Sequence, residues 1–300
     1  INMPQRELAV IRSFMFTPAN HPRRVEKVFQ IGADAVILDL EDAVAVAEKV
    51  AAREDVVAAF SASQRKCLHY VRINSVDTEY WLGDIQATVG PWLDGVVVPK
   101  VESAAALLEV ESAIAEAESA AGLAVGCLDI LPIIETARGV ETAAEIATAG
   151  SRIRRLAFGG GDYTLDLDYE WSADEDVLAY ARARLSHASR LGGLQPPIDT
   201  VVLQIKDDAR FTASAQRGRK FGFGGKLCIH PSQIPLTNSI FSPSTQEIAH
   251  ASAVVAAFEA AEASGSASIQ LDGYFIDYPI VYKSQRILAL AALLEQQEVS

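Results

Sequence analysis

Paired cysteines are missing from this 300-residue chain. Its three cysteines, Cys67, Cys127 and Cys228, are far apart and set in apolar or strand-like contexts. They read as buried free thiols in a reducing compartment, not as a disulfide framework. No Cys-x-x-Cys spacing offers a zinc site. Basic charge is also short: 26 Lys and Arg against 39 Asp and Glu leave a net −13, with an isoelectric point near 4.9. That balance argues against a nucleic-acid partner or an anionic membrane surface, while leaving room for a local basic pocket. No uninterrupted apolar run is long enough to cross a bilayer, and no charged leader precedes an apolar stretch. The expectation is a soluble, cytoplasmic protein. A Gly-x-Ser-x-Gly elbow is absent, and no cysteine has an evident histidine partner, so nucleophilic catalysis has no support. No Gly-x-Gly-x-x-Gly turn follows the first strand, which disfavours a dinucleotide-binding fold.

What is present is a large apolar content, 50% of residues, arranged with regularity. Short β-rich runs at 13–18, 34–40, 67–74, 95–100, 127–134, 153–159, 199–205 and 226–231 read as strands. Helical patterns lie between many of them, among them 45–60, 102–121, 139–149, 174–191 and 207–220. Eight strands alternating with helices predict an α/β fold, a TIM (β/α)8 barrel, better than an open doubly wound sheet. The barrel domain is expected over residues 1–243. Over 244–300 the pattern changes to a long Ala-rich helix (245–263), a short DGYFIDYP segment and a final helix (281–296). This C-terminal helical extension is too small to fold alone, so it is expected to pack on the barrel or on a neighbouring subunit.

Ionisable residues gather at the predicted C-terminal ends of the strands, which form the active-site rim of such a barrel. Asp39, Glu41 and Asp42 follow strand two, Arg72 and Asn74 strand three, and Lys100 and Glu102 strand four. Glu135 closes strand five, and Asp162 follows strand six after three glycines, Gly159 to Gly161. Either carboxylate alone reads most simply as a cap for the next helix. The pair, beside glycines that admit close backbone approach, suits a hard cation such as magnesium. Arg72 is either a clamp for a substrate anion or a partner for Asp39, Glu41 or Asp42, and both roles can hold in turn. Those three acids are expected to orient Arg72 and water around the cation, with direct ligation by Glu41 or Asp42 the lesser reading. Lys100 pairs with Glu102 or stands near the rim as a structural cation. His230 reads as a neutral structural histidine at a strand–helix turn. Arg23, Arg24 and Lys27 form either an ordinary solvated helix start or a site for the phosphates of a long ligand.

The segments RSFMFTPANHPRR, GADAVILDLEDAV, YVRIN, GVVVPKVES, PIIETARGV, LAFGGGDYTLDL, GFGGKLCIHPSQI and FIDYPIV occur in this order over residues 12 to 281. Each is weak alone. Together they resemble the citrate lyase β-subunit-like branch of the HpcH/HpaI aldolases, which includes citryl-CoA and malyl-CoA lyases, malate-synthase-like enzymes and malyl-CoA thioesterases. The resemblance implies a trimeric or hexameric TIM barrel holding Mg2+, or Mn2+ in its place, on Glu135 and Asp162. It implies a catalytic Arg72, and an acid/base Asp277 given by an adjacent subunit. It places coenzyme A along the strand-one loop and the IHPSQI turn, giving Arg23, Arg24 and Lys27 a role in binding it. The expected partners are an acyl-CoA or acyl-carrier thioester and a small keto acid. Two positions depart from the family pattern: Pro18-Ala19 stands where Pro-Gly is common, and Gly161 where many relatives carry Glu before the metal-binding Asp.

Overall fold

A computed structural model describes residues 10–299 of the chain. The first nine residues of the expected barrel domain, and Ser300, lie outside the described residues. Two compact units are present: Ile11–Asn238, and Ser239 onward together with Val10.

The first unit is a closed barrel of eight parallel strands in sequence order. The strands are β1 (Ser13–Pro18), β2 (Ala35–Asp39), β3 (Leu68–Arg72), β4 (Gly95–Val98), β5 (Asp129–Ile134), β6 (Ala157–Phe158), β7 (Ile198–Asp199) and β8 (Gly225–Cys228). Between them run α1 (Pro22–Val28), α2 (Ala52–Ala62), α3 (Trp81–Thr88), α4 (Ala104–Ala120), α5 (Ala137–Glu141), α6 (Ala143–Ala147), α7 (Gly160–Asp166), α8 (Ala179–Leu191) and α9 (Asp208–Lys220). After β8 comes α10 (Gln233–Ile240). The expected TIM barrel is therefore the fold, with shorter pieces at several places. Expected strand 199–205 stops at Asp199, because the next residues turn outward, with Leu203 and Ile205 exposed. Expected strand 153–159 keeps only two ladder residues, and Ile153 makes a lone bridge to Ile130. Expected helix 45–60 begins as one 3-10 turn, Val46–Glu48, before α2.

Alternation along the strands decides what faces the axis. The interior core contains Phe14 of β1, Ala35 and Ile37 of β2, Tyr70 of β3, Val97 of β4, Leu131 and Ile133 of β5, and Leu227 of β8. Two residues further along the same faces stand Phe16, Asp39, Arg72 and Glu135. Hydrophobic filling thus gives way, within one layer of side chains, to charge at the C-terminal end of the barrel. Register fixes the neighbours: Asp39 of β2 lies opposite Arg72 of β3.

A second buried charge group sits between the strands and the outer helices. Arg182 of α8, Asp199 of β7 and Lys226 of β8 are each fully buried. Asp199 accepts from Arg182 Nε at 3.0 Å and from Lys226 Nζ at 3.0 Å, while Glu175 takes Arg182 Nη2 at 2.7 Å. Gly218 of α9 leaves the room this group needs, since a Cβ there would lie 2.5 Å from Asp199 Oδ2.

The second unit is built on α11 (Thr245–Ala263) and α12 (Tyr278–Val299) with a hairpin of β9 (Ile269–Leu271) and β10 (Tyr274–Ile276). Ser244 and Glu247 form a capping box at the start of α11. The hairpin turns on Asp272-Gly273, both at positive φ, the pairing that a two-residue turn between twisted strands requires. Val254, Phe258, Ile276 and Val281 make its core. Among the described residues no helix is long and apolar enough to cross a membrane.

Candidate functional site

The rim gathers Asp39, Glu41, Asp42, Arg72, Lys100, Glu135 and Asp162 into one network. Arg72 donates a forked pair of bonds to Asp39, Nε to Oδ1 at 2.7 Å and Nη2 to Oδ2 at 2.6 Å. Its Nη1 lies 3.0 Å from Glu41 Oε2. That contact is charge against charge without hydrogen-bond alignment, so Glu41 Oε2 is buried with no hydrogen-bond partner. The guanidinium rests over the Phe16 ring, 4.7 Å from its centroid. A planar cation packed on an aromatic face and gripped by a carboxylate fork has little freedom left. Arg72 is therefore held in place before any ligand arrives.

Burial opposes ionisation of Asp39, but Arg72 and the N–H groups of Glu41 and Ala43 outweigh it and hold the carboxyl below its usual range. At Glu41 the balance falls the other way, and burial raises it despite Arg72 and Lys100. Burial also disfavours charge on Arg72 and on Lys100, yet the surrounding carboxylates push both further toward the cationic form. Lys49 anchors the same loop by donating to the carbonyls of Leu40 at 3.0 Å and Glu41 at 2.7 Å.

The caps are settled by Thr136 and Gly159. Thr136 is the N-cap of α5, taking the Gly139 N–H at 3.0 Å, so Glu135 is free of that duty. Asp162 lies inside the first turn of α7, whose N-cap is Gly159. Glu135 Oε1 instead accepts the Lys100 backbone N–H at 2.7 Å. The carboxyl is pushed up to about 8, first by burial and then by the negative charge of Asp162. A buried carboxyl raised beside a second carboxylate is what a hard divalent cation would relieve, so the donor set fits such an ion. Among the described residues no group of three or more His, Cys, Asp or Glu is arranged to hold a metal unaided. A two-carboxylate site of this kind leaves the remaining coordination positions to water and ligand.

The three glycines before Asp162 differ in what they do. A Cβ at Gly159 would fall 2.1 Å from Glu135 Oε2, and one at Gly160 would fall 2.9 Å from Thr200 Oγ1. At Gly161 it would meet only Trp171 Cζ3, at an ordinary 3.9 Å. Close backbone approach is thus the property of the first two. Gly159→Ala is expected to cost about 1–3 kcal/mol as Glu135 is displaced, while Gly161→Ala stays within about 0.5 kcal/mol. Thermal melting of the two purified variants checks the contrast. At the other departure, Ala19 keeps a negative φ, and its N–H bonds the Asp39 carbonyl at 3.1 Å, so no glycine is required there.

Two expectations need correction, one on Lys100 and one on the thiols. Lys100 does not pair with Glu102; its ammonium turns inward to Glu41 Oε1 at 2.6 Å and Asp42 Oδ2 at 3.4 Å. Glu102 instead lies 3.8 Å from Arg138. None of the three thiols is in a disulfide, and Cys228 is buried while Cys67 and Cys127 are half-buried. Arg23, Arg24 and Lys27 are all exposed on α1. His230 bonds Ser232 Oγ through Nδ1 at 2.8 Å, a local turn contact in keeping with a structural histidine. Asp277 belongs to the second unit, where its carbonyl accepts the Val281 N–H at 3.1 Å in the first turn of α12. Phe16, Lys49 and Thr200 were not legible as site residues. Phe16 follows from strand parity, but Lys49 and Thr200 reach their partners only through the fold.

The HpcH/HpaI aldolase/citrate lyase family profile matches residues 12–231. The citrate lyase subunit beta of Leuconostoc mesenteroides subsp. cremoris is 39% identical over 281 residues, 93% of each chain. A (3S)-malyl-CoA thioesterase of Cereibacter sphaeroides is 34% identical, covering 93% of this chain and 94% of that protein. Among solved structures, the CitE protein of Mycobacterium tuberculosis in complex with magnesium, acetoacetate and coenzyme A superposes with a TM-score of 0.78. The two are 31% identical, with 95% of this chain and 99% of that one covered. From its eight-stranded barrel, its charged rim and these likenesses, the chain belongs to the HpcH/HpaI aldolase/citrate lyase family, among the citrate lyase β-subunit-like proteins.

Proposed function

We propose that this protein is a Mg2+-dependent carbon–carbon lyase acting reversibly on a hydroxy-carboxyacyl thioester of the citryl-CoA or malyl-CoA type. The observation that carries the reading is the set of Arg72, Glu135 and Asp162 around Lys100 on one barrel rim. Glu135 and Asp162 would hold Mg2+, or Mn2+ in its place. When bound, that ion supplies Lewis acidity toward the carbonyl and carboxylate of the keto-acid half.

The chain's own groups divide the remaining work. Cleavage moves the electrons of the carbon–carbon bond onto the thioester half as an enolate, as the hydroxyl proton leaves and the keto carbonyl forms. Arg72, fixed by Asp39 and Phe16, offers its positive charge to that enolate oxygen, where charge is greatest near the transition state. Asp39, Glu41 and Asp42 keep Arg72 and Lys100 in register. Asp277, contributed by a neighbouring copy in a trimer or hexamer, would accept the hydroxyl proton and return a proton to the enolate carbon. A cleft of about 850 Å³ opens between α1 and α2 beside Ala19 and Pro22. Arg23, Arg24 and Lys27 lie exposed on α1 outside that lining, and their charge is what supports placing the phosphates of coenzyme A on this helix.

The test is product analysis with citryl-CoA and malyl-CoA, with and without magnesium. Keto acid plus acyl-CoA is expected, with Glu135→Ala and Asp162→Ala each falling to background. Wild-type turnover by both variants would sink the assignment. Free coenzyme A plus intact hydroxy acid would instead support the thioesterase reading, which the 34% identity to a (3S)-malyl-CoA thioesterase favours. Condensation of acetyl-CoA with glyoxylate would mark a malate-synthase-like enzyme. Activity only on an acyl-carrier thioester would place the chain as a subunit of a larger complex, in line with its 39% identity to a citrate lyase subunit beta.

A further inference from the structure

Lys100 is the one rim residue whose backbone and side chain both depart from the ordinary. Its φ is +51°, in the left-handed region that residues with a Cβ seldom adopt. That conformation aims its N–H at Glu135 Oε1, 2.7 Å away. Its side chain meanwhile reaches back across the rim, with Nζ 2.6 Å from Glu41 Oε1, 3.4 Å from Asp42 Oδ2 and 4.0 Å from Asp162 Oδ1. One residue therefore orients one member of the carboxylate pair through its main chain and sets a positive charge beside the other. Arg72, the other rim cation, is committed to Asp39 and Glu41 and has no contact of this kind with Asp162.

We infer that the Lys100 ammonium is a tethered counter-cation, which balances the Glu135–Asp162 pair in the metal-free protein and holds down the affinity of that pair for a divalent ion. The inference rests on the metal reading given above. Two cations cannot share these carboxylates without repulsion, so an entering dication either works against the ammonium or pushes it away from Asp162 while it keeps its 2.6 Å contact with Glu41. The main-chain role is separate, since the N–H to Glu135 survives any side-chain replacement.

Two variants isolate the charge. Lys100→Met removes the ammonium and keeps a Cβ in the left-handed conformation. Lys100→Gly removes it while suiting that conformation, and folds even where the first variant suffers. Mg2+ binding to metal-free protein is measured by calorimetry, and Mn2+ binding by electron paramagnetic resonance. Both variants are expected to bind at least about tenfold more tightly than wild type, which is toward the water-screened end of the range for a unit charge about 4 Å away. Both should also melt lower in chelator and gain more from added Mg2+. Unchanged or weaker binding in both variants, with wild type still binding, overturns the counter-cation and leaves the metal site standing. Wild-type protein that binds neither ion overturns the metal site and this inference together.

Discussion

Arg72→Lys is expected to lower kcat by about 10²- to 10³-fold on whichever thioester proves to be the substrate, the usual loss when one aligned donor to a developing oxyanion is removed. The replacement keeps a positive charge beside Asp39, which is buried and would otherwise be stranded. What it removes is the geometry. Lysine cannot reproduce the two parallel bonds at 2.7 and 2.6 Å, the third contact at 3.0 Å to Glu41, or the flat packing on Phe16. The melting temperature should stay close to wild type while kcat falls, and KM should change little, because the lost interaction belongs to charge that develops in the reaction. Steady-state kinetics beside a melting curve checks this. A fall in kcat of less than about tenfold would show that positive charge alone suffices, and the forked grip would lose its assigned purpose. Arg72→Ala is the poorer test, since it strands buried Asp39 and mixes stability with catalysis.

Asp199→Ala is expected to destabilise the barrel unit by about 3–5 kcal/mol, the cost of leaving a buried charge without its partner. Asp199 is fully buried and receives Arg182 through two bonds of 3.0 Å and Lys226 through another. After the change Arg182 retains Glu175 at 2.7 Å, but Lys226 keeps no carboxylate, only the Ser214 hydroxyl at 3.0 Å and the Phe211 ring 5.8 Å away. Burial opposes the ionised form of Asp199, and Lys226 with Arg182 more than offsets it, so the carboxyl sits below its usual range. The melting temperature should fall by roughly 6 to 20 °C for a unit of this size. Adding Lys226→Met should recover part of the loss, because it removes the worse-stranded cation. A loss under about 1 kcal/mol would mean that water reaches the group on mutation.

The alternation of short apolar runs with amphipathic stretches was enough to read the barrel, because a parallel sheet buried on both faces leaves nearly continuous Val, Ile and Leu runs. Strand parity then brought Asp39, Arg72 and Glu135 onto the inner face, since a period of two is a local property of any extended chain. The short ladders of β6 and β7 were not legible, because 200–205 (TVVLQI) is as apolar as a true strand and 153–156 (IRRL) begins and ends on apolar residues that run straight into Ala157–Phe158. Only their neighbours' hydrogen bonds decide where pairing stops.

The same division runs through the site. Residue types and order alone determined the fold, the family resemblance and the rim on which the acids and Arg72 stand. Tertiary structure alone decided that Lys100 turns to Glu41, Asp42 and Asp162 instead of Glu102, and that Gly159 rather than Gly161 makes room for Glu135. The physical reason is one of range. Periodicity is set by bonds between sequence neighbours, whereas these contacts join residues from 24 to 62 positions apart, such as Glu135 with Gly159 and Lys100 with Asp162. Only closure of the barrel brings them within reach.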